Sequence, residues 1–145
     1  MKLAHLVPVA LMCAALGAWA ADAKPPAAKK RVLIDLSSEM LIDAPSAVAI
    51  LGERIPEKVW KLYPARKWGF ASQVEGGFTQ DKTCVITARV MLAPLSATNG
   101  VILRPAKRAT AFEAIPNATI EQCRAMAKDK LREAADAVVS SLVKT

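Results

Sequence analysis

The sequence predicts an α+β domain: an antiparallel β-meander of four to five strands, two short helices before it and a long C-terminal helix packed on the sheet. Three patterns point to this class. The middle of the chain alternates apolar and polar residues with period two. The last 25 residues carry an apolar stripe with helical period. Two short helical patterns, punctuated by prolines, separate a first β-rich run from the middle.

The elements follow in order. Met1-Lys2 is a short basic start, Leu3 to Gly17 is apolar, and Ala18-Trp19-Ala20 offers the small residues a signal peptidase reads. Residues 1–20 are therefore expected to be a cleaved signal peptide, too short and Ala-rich for a membrane span. Met12 before Cys13 stands where a lipoprotein signal needs a small residue. Residues 21–30 hold Pro25-Pro26 and no apolar period, so they read as a flexible tether. Residues 31–145 form the single domain.

Arg31 to Leu36 is a β-branched run with Val32, Ile34 and Leu36 on one face, a first strand. Asp43-Ala-Pro-Ser46 has helix-start chemistry, and Ala47, Val48, Ile50 and Leu51 follow as a short stripe that Gly52 is expected to weaken or end. A second helix is expected from Pro56 through Tyr63, stopped by Pro64. Phe70, Ser72, Val74, Gly76 and Phe78 share one strand face. Gln80-Asp81-Lys82 turns the chain, and Cys84, Ile86, Ala88, Val90 and Leu92 line the next strand. Val101 to Leu103 begins a third strand of the meander, Pro105 interrupts it, and Arg108 to Ile115 resumes it. Thr119 and Gln122 form a capping box. Ile120, Cys123, Ala127, Leu131, Ala134, Ala135, Val138 and Leu142 then face one side of a helix of about six turns.

Composition narrows the chemistry once the leader is set aside. The full chain has 145 residues, 53% of them hydrophobic, three cysteines, one histidine and a formal charge of +7. Residues 21–145 keep two cysteines, no histidine, and 19 Lys and Arg against 13 Asp and Glu. Without an imidazole there is no Ser-His-Asp or Cys-His arrangement. Imidazole or clustered thiolates for zinc, copper or iron are also lacking, and no phosphate-binding glycine loop is present. No cofactor or metal is expected, and the chain is not expected to be an enzyme. Ser141-Leu-Val-Lys144 formally fits Ser-x-x-Lys, but such a lysine must be buried, and here it is the penultimate residue. Asn117-Ala-Thr119 matches a glycosylation sequon, and Thr119 is better explained as a helix cap.

In an exported protein Cys84 and Cys123 are expected to pair, since both fall on apolar faces and only one connectivity exists. The bridge would pin the last helix to the sheet. A Cys-x-x-Cys redox spacing is absent.

Lys58, Trp60, Lys61, Tyr63, Arg66, Lys67, Trp68 and Phe70 fall within thirteen residues and include four of the six aromatics after the leader. Cationic and aromatic side chains together suit an anionic lipid surface, glycan rings or an acidic partner. Lys58, Lys61, Arg66, Lys67 and Trp68 are the candidate partner-binding residues. Trp60 is expected to pack in the core. Lys24, Lys29, Lys30 and Arg31 make a second basic patch on the tether, attractive to an anionic envelope surface.

Ile42-Asp43-Ala44-Pro45 and Val59-Trp60, with the element order, resemble the helix-grip (START and Bet v 1-like) families. That resemblance implies an apolar ligand cavity between the sheet and the last helix. The departure is size: four or five strands stand where that family has six. Tyr63-Pro64, Val74, Phe78 and Asp81 are similar to the start of TonB or TolA C-terminal domains, with Lys82 where that family has glycine.

The functional expectation is a small exported, periplasmic or secreted, non-catalytic binding or interaction protein of the bacterial cell envelope. Its partner would be an envelope protein or an anionic envelope surface. Nucleic acid is not expected, nor is a transmembrane segment in the mature chain. Two alternatives stay open: a helix-grip-like carrier of an apolar small molecule, and an enzyme of unrecognised type.

Overall fold

The structure, a computed structural model, describes residues 31–98, 100 and 104–143. The expected signal peptide, the tether, the expected strand start at Val101–Leu103 and Lys144 lie outside the described residues. Four strands and the helices follow in the order β1 (Leu33–Asp35), α1 (Ala44–Arg54), α2 (Glu57–Leu62), β2 (Trp68–Phe78), β3 (Cys84–Pro94), β4 (Lys107–Ile115) and α3 (Ile120–Leu142). The sheet order is β1-β2-β3-β4.

The expectation of an all-antiparallel sheet is corrected at its first strand. β1 pairs parallel to β2, with Leu33 opposite Phe70 and Asp35 opposite Ser72. The reason is the connection. An antiparallel neighbour can be reached by a hairpin, whereas α1 and α2 carry the chain back to the end of the sheet where it began, which enforces parallel pairing. β2, β3 and β4 form the expected antiparallel meander, with Val74 opposite Ala88 and Ala88 opposite Ala111.

Helix α1 starts where Asp43 accepts a hydrogen bond from the Ser46 backbone N–H at 2.8 Å and another from the Ser46 hydroxyl at 2.8 Å. It continues through Gly52 to Arg54, so Gly52 does not end the helix. A Cβ on Gly52 would meet only Leu33, at 3.9 Å. Its glycine therefore relieves no crowding, and the helix absorbs the propensity cost through burial of Ala47, Ile50 and Leu51.

α3 opens on the predicted capping box: Gln122 N–H donates to the Thr119 hydroxyl at 3.2 Å, and Thr119 N–H donates to the Gln122 side chain at 2.8 Å. Its buried stripe runs Cys123, Met126, Ala127, Leu131, Ala134, Ala135, Val138 and Leu142. Met126 joins the expected set, and Ile120, at the first turn, is exposed. The alanines matter for position. A helix presenting Ala127, Ala134 and Ala135 can lie close to the sheet, over Ala88 and Ala111.

The helices cover one face of the sheet. Phe70, Val74, Ile86, Val90 and Leu92 join α1 and α3 residues in one core. Among the described residues no helix covers the other face, where Ala71 and Ala93 are nonetheless buried. Ile34 lies on it, opposite Ala71, so the Val32-Ile34-Leu36 face predicted from the sequence turns away from the helices. Leu33 and Asp35 point toward the core side instead. Asp35 is accommodated there by two hydroxyls: Ser72, wholly buried, donates to Oδ1 at 2.7 Å, and Ser37 donates to the same oxygen at 2.6 Å. Ser37 in turn accepts from the Val74 backbone N–H at 2.8 Å. This network fastens the three-residue β1 to its neighbour where a short strand alone would fray.

Candidate functional site

Strand direction decides which charged residues become neighbours. β1 and β2 start at the same end of the sheet, β3 finishes there with Pro94 opposite Trp68, and β4 starts there with Lys107 opposite Leu92. Four strands at about 4.8 Å spacing place these termini within roughly 14 Å of one another. The residues around them are Arg31 before β1, Arg66 and Lys67 before β2, and Arg104, Lys107 and Arg108 at the start of β4. α2 adds Lys58 and Lys61. All eight are exposed.

The turn that presents Arg66 and Lys67 is tightly defined. Lys67 and Trp68 backbone N–H groups both donate to the Pro64 carbonyl, at 2.9 and 3.1 Å. The Lys67 carbonyl accepts from Leu95 N–H at 2.9 Å, joining this turn to the segment that follows β3. Beneath the cations the aromatics pack. Trp60 meets Phe70 edge-on at 5.3 Å, and Tyr63 meets Trp68 edge-on at 5.6 Å. The Arg31 guanidinium lies 5.9 Å from the Trp60 ring centre and forms an ion pair with Glu57.

The predicted basic-aromatic segment thus separates into two layers. Trp60 is 7% exposed and belongs to the core, as expected. Its indole N–H finds no acceptor among the described residues. Trp68 is half-buried, one edge on Tyr63. Lys58, Lys61, Arg66 and Lys67 all project outward. Leu62, between the lysine of α2 and the turn, is 60% exposed. The structure adds Arg104, Lys107 and Arg108, which sequence reasoning missed because they lie some forty residues away. The available signal was their position at the start of a strand antiparallel to the one before it.

Carboxylates do little to offset this end. Glu57 is engaged by Arg31 and Asp136 of α3 by Arg54 at 3.2 Å, while Glu53, beside Arg54 in the last turn of α1, forms no ion pair among the described residues. Lys58, Lys61, Arg66, Lys67, Arg104, Lys107 and Arg108 form no ion pair among the described residues. The opposite end of the sheet is mixed. Glu39, Asp43, Asp81 and Glu121 stand there with Lys82, Arg124 and Lys128. The Ser46 backbone N–H holds the Asp43 carboxyl below its ordinary value, the Thr79 hydroxyl does so for Asp81, and the helix-start N–H does so for Glu121. Those carboxylates stay charged, and the molecule carries a positive end facing a near-neutral one.

Other sequence candidates resolve differently. Cys84 and Cys123 are joined as a disulfide with Cα atoms 5.8 Å apart, both residues fully buried. Ser141 donates to the Val138 carbonyl at 2.7 Å. Thr119 is spent on the cap of α3. Between β4 and α3 lies a groove of about 280 Å³, lined by Glu113, Ile115, Gln122, Ala125, Met126 and Asp129. It opens to solvent and lies along the sheet edge rather than enclosed beneath α3, so it lacks the form a buried apolar ligand would need. Lys130 bridges Glu113 at 2.8 Å and Glu133 at 2.6 Å beside it, tying helix to strand. Among the described residues no group of His, Cys, Asp or Glu could hold a metal ion, and no helix is long and apolar enough to cross a membrane.

No protein-family model matches the chain, and no curated protein matches its sequence. Solved structures give distant likenesses. A PelC dodecamer from Paraburkholderia phytofirmans is 12% identical, with a TM-score of 0.44 over 79% of this chain and 89% of that one. A candidate lipoprotein of Caulobacter crescentus is 12% identical, TM-score 0.36, over 75% and 82%. A DUF330 protein of Xanthomonas campestris is 12% identical, TM-score 0.37, over 77% and 83%. At these identities and scores no function follows from the likeness.

Proposed function

We propose that the chain is an exported, non-catalytic binding protein of the bacterial cell envelope that meets an anionic partner with the positive end of its sheet. The observation that carries this reading is the gathering of Lys58, Lys61, Arg66, Lys67, Arg104, Lys107 and Arg108 at one end without carboxylate partners. A field of one sign, built by strand direction from two distant segments, orients the molecule toward a negative surface and accelerates encounter. The buried disulfide, with the leader expected from residues 1–20, supports an oxidising, exported setting. A chain with no histidine after residue 20 supports a role in binding.

Co-sedimentation with purified envelope fragments tests the reading. The protein carrying Arg66→Glu and Lys67→Glu should lose at least tenfold in bound fraction. A control carrying Lys82→Glu and Lys128→Glu at the other end should keep most of its binding. Equal losses in the two proteins would show that net charge alone governs, and the proposed surface would fall.

A further inference from the structure

We infer that the anionic partner is a phospholipid bilayer, against which the positive end lies with Leu62 inserted among the headgroups. This rests on the reading of that end as the contact surface. Three observations select a bilayer over a soluble polyanion or an acidic protein.

First, an exposed apolar side chain falls among the cations of α2 and the turn that follows it. Leu62 ends α2 with 60% of its surface exposed, directly after Lys61 and four residues before Arg66. A leucine at the tip of a cationic surface gains nothing from a hydrated polyanion. At a bilayer it reaches the headgroup–acyl boundary while the lysine and arginine heads remain with the phosphates. Second, the half-buried Trp68 and Tyr63 stand next to it in edge-to-face contact. Aromatic rings with one apolar and one polar end favour that interfacial zone. Third, the exposed cations of this end come from four separate segments: Arg31 before β1, Lys58 and Lys61 of α2, Arg66 and Lys67 before β2, and Arg104, Lys107 and Arg108 at the start of β4. A planar charged surface can engage cations spread across a sheet end together.

The expected behaviour follows from combining a weak apolar contact with many screened charges. Binding should require anionic lipid, fall steeply with salt, and depend on Leu62 in a way that attraction to a soluble polymer does not.

Vesicle flotation of the leader-free, disulfide-bonded protein tests this, using phosphatidylcholine vesicles with and without 30 mol% phosphatidylglycerol (on the order of natural anionic content). Retention on immobilised dextran sulfate is measured in parallel. The protein should float with the anionic vesicles and stay behind with the neutral ones. Leu62→Ser should cut flotation at least threefold and leave dextran sulfate retention unchanged, and its unaltered Tm would show that the exposed site is not structural. Retention on dextran sulfate without flotation would overturn the bilayer and leave the positive end as a contact surface. Absence of both would overturn the two readings together. Flotation by Leu62→Ser equal to that of the unaltered protein would sink the insertion of Leu62.

Discussion

At Gly76 strand β2 comes so close to β3 that a Cβ would sit 1.9 Å from the Val85 carbonyl oxygen, and φ there is +138°. Gly77 shares the positive φ, at +148°, but a Cβ on it would meet nothing within 4 Å. Both substitutions strain the backbone, and only one also forces two backbones apart. Gly76→Ala should therefore lower stability by roughly 2–4 kcal/mol and Gly77→Ala by about 1–2 kcal/mol, read from thermal or denaturant unfolding. Equal losses would show that φ alone matters. The exposed Asp43, Asp81 and Glu121 give a pH dependence of known sign. Their folded pKa values lie below ordinary ones, so their contribution is complete above the unfolded range and is lost as pH falls through the folded values. Tm should be flat from about pH 8 to 5 and decline below about pH 4. Residue types alone placed Phe70, Ser72 and Val74 of β2 and the Cys84-to-Leu92 face of β3 in the core, but Phe78 of the same β2 face is exposed. They did not show which side of β1 faces inward. Val32, Ile34 and Leu36 make the more apolar parity, yet Asp35 takes the core side because the hydroxyls of Ser37, two residues on, and Ser72, 37 residues on, satisfy it there.

The long helix was the most legible element, because its N-terminal cap and most of its buried stripe are local patterns. Its attachment was legible too, since two cysteines on apolar faces leave one pairing. The disulfide closes a loop with a sequence separation of 39 residues. In the chain-entropy account that closure contributes about 4 kcal/mol. Replacing both cysteines by serine should lower Tm by roughly 12–16 °C while leaving the far-ultraviolet spectrum native at low temperature, since Leu131, Ala134 and Val138 still hold α3 on the sheet. A drop of only a few degrees would mean that the unfolded chain is already constrained. The first helix was less legible. Gly52 reads as a stop from its propensity, but α1 is paid for by its buried face and by its cap at Asp43, and tertiary burial outweighs one glycine. The direction of β1 was not legible at all, because period-two patterning is identical in parallel and antiparallel strands. Only the path of the connection distinguishes them.

Across the whole molecule, strand direction turns dispersed cations into one surface. Along the sequence, the positive charge of this chain looks spread out, and only the segment from Lys58 to Lys67 stands out. In the folded chain the β3–β4 connection returns Arg104, Lys107 and Arg108 to the same end, while Asp43, Asp81 and Glu121 collect at the other. α1 and α3 pack on one face of the sheet, and α2 contributes its lysines to the positive end. The central claim is that the proposed contact surface is assembled by the fold rather than contained in one segment. The direct measurement is the affinity for anionic vesicles, at fixed salt, of two matched charge reversals: Lys58→Glu with Lys61→Glu, and Lys107→Glu with Arg108→Glu. A fold-assembled surface predicts comparable losses, about tenfold or more for each pair. Full affinity after reversal of Lys107 and Arg108, with loss confined to the Lys58 and Lys61 protein, would contradict it.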